Sequence, residues 1–540
     1  MTVRFAMPAL VTLTVALGPL GGAVVGSAAP AAAAQPTVLT VTSTTDSTGS
    51  GTACPATATD PCTLRTAVAD AVAASTPVDI AFGVTGTITL TGGALQVTGG
   101  TVSIDGGPGL ITLKGSGDRL FSVSGRGTAL TLNHLVLTGG DATQSAGDDG
   151  FGGAIDVNTG AALTVRSSQI TGNTASNNAG AIDDNTTSAV RIEATTIDHN
   201  TSGGVGGAID TNTGANLTVV NSTITANTAA DGGGALNVIT GATVALVNDT
   251  IAANGAGSPG PTAPGGVLAA ANSSLTVTNT VLAGNTAPAC AGVVTDGGHN
   301  AEDGTTCGFS SHAVSTSAKL GPLQDNGGPT PTMAPAADSP LLAAGDRTVC
   351  TTSATGAGSV DQRGVERPQA PTGCDIGAVE TVATTTTVTG PSKLTSGGTA
   401  TLQITVQATT AIAGVPDGGV TVYDGTTALG SAHVTGHSTS SVTFSFTSAA
   451  LDAGTHSIRA VYAATSLFRG SEGARTLTVS APSTSTEGSR GPSTTGTSAG
   501  GAPSRLAATG FNPVLPLTGG ALILLGCSLV VLGRRRRVLT

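Results

Sequence analysis

Apolar residues follow two superimposed periods in this chain. The short period is two, in runs such as Leu163-Thr-Val165 and Leu217-Thr-Val219, which predicts strands with one buried face. The long period is 27: Ala154, Ala181, Ala208 and Ala235 keep that step inside the phrases GGAI, GAI, GGAI and GGAL, and Asn173, Asn200, Asn227 and Asn254 keep it too. Each unit reads Gly-Ala-Ile, a turn, Leu-Thr-Val or its equivalent, then Ile and Asn; a fifth unit, 265–285, is a few residues longer. Such short strands bury no core alone but do so when stacked as coils of a parallel β-helix. Alternation puts Ile155, Val157, Leu163, Val165 and Ile170 inside. The asparagines form a structural column at one bend, bonding each other and the turn backbone. Segments 88–91, 102–105, 111–113, 120–123 and 130–137 fit earlier, less regular coils, and 62–74 has helical spacing suited to covering the open first coil.

After Glu380 the pattern changes to short alternating strands at 384–387, 400–406, 419–423, 441–446 and 456–462 between Gly, Pro and Asp turns. This predicts a β-sandwich over 381–480, with Tyr423 and Tyr462 in its core. Residues 481–505, rich in Ser, Thr, Gly and Pro, read as a wall-spanning linker. At the N-terminus, Arg4, an apolar run and the alanines of 31–34 predict a signal peptide over 1–34. At the C-terminus, residues 506–540 hold LAATG, an apolar stretch 511–533 and Arg534, Arg535, Arg536 and Arg537. A helix of that length crosses about 30 Å of hydrocarbon, and the arginines keep its end in the cytoplasm.

Composition narrows the partners. The formal charge of −11 excludes nucleic acid as a natural ligand, and 79 glycines with 2% aromatic residues suit a core of small β-branched side chains. Six of the seven cysteines lie outside the apolar tail that holds Cys527. Six allow fifteen connectivities, and short loops in an exported chain favour the local set Cys54–Cys62, Cys290–Cys307 and Cys350–Cys374.

The leader, LAATG, apolar span and basic tail together resemble a Gram-positive sortase substrate of the actinobacterial LAxTG type. The resemblance implies cleavage between Thr509 and Gly510 and a bond from Thr509 to peptidoglycan, with LPLTG (Thr518, Gly519) as the alternative motif. The coil region resembles right-handed parallel β-helix surface proteins of the choice-of-anchor kind. The residues carrying that likeness are Val38-Leu-Thr-Val-Thr-Ser43, Cys62-Thr-Leu-Arg65, Asp338-Ser-Pro-Leu-Leu342, Asp361-Gln-Arg-Gly364, Arg367-Pro368 and Cys374-Asp-Ile-Gly-Ala-Val-Glu380. The likeness covers 35–380 and implies fold, not activity. Pro416-Asp-Gly-Gly-Val-Thr-Val-Tyr-Asp-Gly425 and 451–462 resemble bacterial Ig-like repeats, which act as spacers or adhesive units. The expected class is all-β: a right-handed parallel β-helix, an Ig-like sandwich and a C-terminal transmembrane sorting signal.

For chemistry, Asp156, Asp183 and Asp210 recur on successive coils with Asn158, Asn185 and Asn212, and Asn237 continues the aspartate column. Residues two apart face the same way, so these should form an outward strip. Three carboxylates about 4.8 Å apart repel unless neutralised or bound to calcium. Pectate lyases and polygalacturonases, which the strip resembles in outline, use carboxylates on such a face. Here the neighbouring coils add only Arg166 and Arg191, and no tyrosine or tryptophan offers a sugar platform. A solvated strip that keeps the stack soluble is the leading expectation, and on it Asp183→Ala changes stability little. Asp198 and His199, adjacent in sequence, should face opposite sides; Asp148 and Asp149 sit in a Gly-rich loop, and His299 lacks companions for a metal. The functional expectation is a secreted surface protein attached to the wall, adhesive or structural, meeting a polysaccharide or a host or neighbouring surface. The alternative is a polysaccharide lyase or glycoside hydrolase acting on the β-helix face; no cofactor is expected beyond calcium.

Overall fold

The computed structural model describes residues 36–47, 54, 61–143, 150–286, 288–310, 314–315, 317–352, 358–410, 415–435 and 440–482. The leader, the linker beyond 482, both sorting-type motifs (Thr509 and Gly510, Thr518 and Gly519), the apolar tail and Asp148 and Asp149 lie outside the described residues.

The coil region is a parallel β-solenoid whose central coils have four sides and whose outer coils have three. A first face of eight strands includes Ile155–Asn158, Ile182–Asp184, Ile209–Thr211 and Leu236–Val238. A second face of ten includes Ala162–Arg166, Ala189–Glu193, Asn216–Val220 and Thr243–Val247. A third of ten includes Gln169–Thr171, Thr196–Asp198, Thr223–Thr225 and Thr250–Ala252, and a fourth of five includes Thr174–Ala175, Thr201–Ser202 and Thr228–Ala229. Equivalent residues pair in register, as Leu163 with Val190 and Ile170 with Ile197. Their apolar side chains fill one continuous core.

Each coil turns at residues in the left-handed region. Between the second and third faces these are Ser167, Ala194, Asn221 and Asn248, at φ 46°, 48°, 48° and 57°; between the third and fourth they are Gly172, His199, Ala226 and Ala253, at 65°, 55°, 55° and 54°. That conformation costs an L-residue about 1–2 kcal/mol. What holds it is the next residue, which points inward and bonds the neighbouring coil. Asn200 Oδ1 accepts from the Asn173 amide N–H (3.0 Å) and Nδ2 (2.9 Å), and the pattern repeats through Asn227, Asn254 and Asn285. A second inward ladder, not read from the sequence, joins Ser168, Thr195, Ser222, Asp249, Thr280 and Asn300, each accepting from the backbone N–H of the one before. Its side chains differ in type, so no repeat announces it.

The Gly-Ala-Ile phrase has a steric cause. A Cβ on Gly153, Gly180 or Gly207 would lie 2.3 Å from the carbonyl oxygen of the equivalent glycine one coil on.

The first coil is closed by α1 (Leu64–Ala73), with Thr63 as N-cap and Leu64, Ala67, Val68 and Ala71 turned to the core. Arg65 Nε reaches Asp46 at 2.7 Å, and Cys54 bonds Cys62. The other end is built from a returning strap. Its residues Pro331, Gln362 and Ala378 bond the outward threonine column Thr196, Thr223 and Thr250 on the third face. The short helix α2 (Arg347–Thr351) sets Val349 against Val220 and Val247. Cys290–Cys307 and Cys350–Cys374 are also bonded.

Beyond the strap a three-stranded antiparallel sheet (Thr384–Thr389, Thr401–Ala408, Ser441–Thr447) packs on a five-stranded mixed sheet (Lys393–Thr395, Ser471–Ser480, Gly454–Tyr462, Gly418–Asp424, Thr427–Val434). Tyr462 is buried in the sandwich and its hydroxyl donates to Asp417 O (3.0 Å). Tyr423 is not core: it is half-buried, with the Arg459 guanidinium 4.9 Å above its ring.

Asn227→Ala should cost about 3 kcal/mol, because it removes the acceptor of the Asn200 N–H and Nδ2 and the donor to Ile197 O, Thr225 O and Asn254 Oδ1. Gly207→Ala should cost on the order of 3 kcal/mol by overpacking. Denaturant unfolding checks both; losses below about 1 kcal/mol would show that neither column holds the coils.

Candidate functional site

Asp156, Asp183 and Asp210 do pair in register on the first face, and they point away from the apolar core. They are nevertheless 3%, 0% and 1% exposed. The chain entering this face doubles back over its own strand: a Cβ on Gly206 would sit 2.5 Å from Ile209 O, and Asn178 reaches across to Asp210 Oδ2 (3.0 Å). The outward strip expected from the sequence is therefore a covered one. Side-chain amides, with the Arg119 guanidinium at Asp156, take up its oxygens. Asn185 Nδ2 donates to Asp156 Oδ1 (3.1 Å), Asn212 to Asp183 Oδ1 (3.0 Å) and Asn237 to Asp210 Oδ1 (2.6 Å). Asp156 also takes Arg119 Nη1 (2.8 Å) and Asn158, and Asp183 takes Asn185 on its second oxygen. Burial raises the Asp210 carboxyl above its usual range, and four hydrogen bonds, led by Asn237, oppose the rise.

With each oxygen already accepting from an amide or a guanidinium and the side chains buried, the three carboxylates are poorly placed to ring a calcium ion or meet a sugar. Among the described residues no group of three or more His, Cys, Asp or Glu could hold a metal ion.

Asp184, the next residue along, points inward at the position that Val157, Thr211 and Val238 occupy on neighbouring coils. Burial pushes its carboxyl up to about 7, with Ser188 lowering it and Asp210 raising it. Its Oδ2 and the Oγ1 of Thr211 are both buried without a hydrogen-bond partner. The signal available in the sequence was a charged residue in a column otherwise held by Val157, Thr211 and Val238.

Asp198 and His199 are brought together, against expectation. The positive φ of His199 swings its ring back, placing Nδ1 2.7 Å from Asp198 Oδ2. Asp198 is buried and also accepts from Gln169 Nε2 (2.8 Å) and Thr171 Oγ1 (2.9 Å), while the imidazole is largely exposed. Arg166 and Arg191 are both paired with Glu193, and His299 Nδ1 lies 2.7 Å from Ala344 O at the closed end.

The broad accessible surface is the second face. Two of its outward rows hold Thr101, Ala129, Ala162, Ala189, Asn216 and Thr243 in register, beside Ser103, Thr131, Thr164, Arg191, Thr218 and Ala245; a third runs Asp105, Asn133, Arg166, Glu193, Val220 and Val247. The short, mostly neutral side chains of the first two rows are exposed or half-buried and repeat about every 4.8 Å. Such rows can lie flat against an extended partner and hydrogen-bond to it; they supply no acid or base.

No family model matches the chain, and no curated protein matches it. It is similar to the crystal structure of the CARDB domain of a Pyrococcus furiosus protein in complex with di-metal ions, at 18% identity over 18% of this chain and 93% of that one, with a TM-score of 0.16.

Asp183→Ala should destabilise the solenoid by about 2 kcal/mol, reversing the sequence expectation, because Asn185 and Asn212 lose a buried acceptor; thermal unfolding unchanged within error would return the strip to solvent. Asp184 gives a pH dependence of definite sign. Its folded pKa lies above the unfolded value, so the native state keeps a proton that the unfolded chain releases. Its contribution is fully present below about 3.8, falls as pH rises and levels off above about 7. Asp184→Asn should therefore gain on the wild type as pH goes from about 4 to 8. Parallel melting curves across that range would remove this assignment.

Proposed function

We propose that the protein is an exported, cell-wall-anchored surface protein whose solenoid offers its second face as an adhesive or structural contact surface. The observation that carries the reading is the contrast between two faces. The carboxylates that suggested catalysis are buried under their own amides, whereas the ten-stranded second face presents accessible rows of short, mostly neutral side chains beside the ion pairs of Arg166 and Arg191 with Glu193. Delivery and anchoring rest on the sequence of the two ends: an apolar leader, then LAATG, an apolar stretch and four arginines. A transpeptidase of the sortase type would join Thr509 to peptidoglycan, and the sandwich, with its Ig-like alternation, would act as a spacer between wall and solenoid. Extended polysaccharide or a host or neighbouring cell surface is the partner class that a flat, repetitive, weakly charged face suits best. The acidic balance argues against nucleic acid.

The rival reading, a polysaccharide lyase or hydrolase, draws support from the Asp198–His199 pair alone. A carboxylate fixes Nδ1 and leaves Nε2 outward as a base, yet the adjacent positions in that column are Gly172 and Ala226, which provide no grip on a sugar.

Two measurements separate these readings. Thr509→Ala should move the protein from the covalent wall fraction to the membrane or medium; full wall retention would remove LAATG from the account. The full chain should retain neutral or acidic polysaccharides without shortening them, and Thr164→Glu with Thr218→Glu should abolish retention. Product shortening lost in His199→Ala would instead establish the enzyme.

A further inference from the structure

The joint between strap and sandwich is built from parts that neither side completes alone. The strap buries five charged side chains within twenty residues: Asp361, Arg363, Arg367, Asp375 and Glu380, all 4% exposed or less. Arg363 Nη2 pairs with Asp361 Oδ2 at 2.7 Å, and Arg367 Nη1 lies 3.4 Å from Glu380 Oε2. Backbone groups take up much of the rest. Glu380 accepts from the N–H groups of Gln369 (2.9 Å) and Asp375 (2.8 Å), and Arg367 donates to the carbonyls of Asp375 and Gly377.

Counted as ionised, the strap's three carboxylates exceed its two guanidiniums by one negative charge, and burial, followed by the charge of Asp375, pushes the Glu380 carboxyl up to about 7. The sandwich supplies the missing cation. Arg469 Nη2 lies 2.6 Å from Asp375 Oδ1 and 3.8 Å from Glu380 Oε1. The exchange also runs the other way. Val365, a strap residue flanked by the paired arginines, is fully buried within the apolar cluster of the sandwich, with Val382, Leu402, Tyr462 and Phe468. Main chain stitches the same place: Val382 N donates to Leu467 O and Arg469 N to Val382 O, both at 2.8 Å. Gln369 Oε1 accepts from Thr409 Oγ1 at 2.8 Å.

We propose that solenoid and sandwich form one cooperative folding unit, in which the sandwich is the solenoid's C-terminal cap: Arg469 closes the strap's charge cluster, and Val365 completes the sandwich core. The change of texture at Glu380 then marks a change of architecture and not a border between independent domains. A buried ion cluster that loses one partner is strongly destabilised, whereas removing the matching opposite charge relieves it.

The chain suits the test. Its only tyrosines, Tyr423 and Tyr462, are in the sandwich, so tyrosine fluorescence reports that part, while far-ultraviolet circular dichroism is dominated by the strands of the solenoid. Thermal unfolding of the full chain should give one midpoint by both signals. Arg469→Met should lower both midpoints together, by about 5 °C. Arg469→Lys, which keeps the charge, should fall less, and adding Glu380→Gln to Arg469→Met should recover part of the loss. Separate midpoints in the wild type, or a shift confined to tyrosine fluorescence in Arg469→Met, would overturn the proposal. A double variant no more stable than Arg469→Met would overturn the charge closure.

Discussion

A flat-sided coil of 27 residues must turn four times, and every turn places a residue at positive φ. Everything else in the solenoid is arranged around that requirement. At two of the four corners the residue after the turn points inward, where water cannot satisfy it, and its side chain finds polar partners on the adjacent coils; at the other two that position is held by small residues such as Ala161 and Gly153. Asn does this at one corner by accepting from the backbone and side chain of its neighbour; Ser, Thr and Asp do it at another. Turn strain and ladder bonding are thus two halves of one device. It works only between stacked neighbours, which is why both ends need dedicated closures.

The same logic accounts for what was legible in the sequence. The Asn column, the glycine phrase and the alternating Leu-Thr-Val runs each repeat one residue type at one step, because identical neighbours solve an identical problem. They led directly to a stacked coil, and α1 was readable from its apolar spacing. The second inward ladder was hidden because Ser168, Thr195, Ser222 and Asp249 meet one geometric need with four residues of three kinds. The strap was hidden for a different reason: its contacts to Thr196, Thr223 and Thr250 join residues more than a hundred positions apart, and they carry no local period.

The aspartate strip was found but its surroundings were misjudged. Period-two alternation says correctly that Asp156, Asp183 and Asp210 leave the apolar core. Whether the outside is solvent depends on the path of the preceding loop, and a positive φ at Gly152, Ala179, Gly206 and Gly233 folds that loop back over the strand. The same blind spot affected His199, where alternation was applied across a turn that breaks it. In both places a left-handed residue overrode the rule for extended chain. The sites that looked chemical were thereby joined to the scaffold, and the accessible surface was left to side chains too plain to attract notice.

The glycine and asparagine columns also act as a ruler. Any cut and rejoining between equivalent positions from Gly153 to Asn254 removes or adds a whole coil and leaves every ladder contact intact, whereas a gain or loss of one or two residues breaks them all at once. Related chains should therefore differ in solenoid length by whole multiples of the repeat, and the reach of the presented face should evolve in discrete steps of about 4.8 Å.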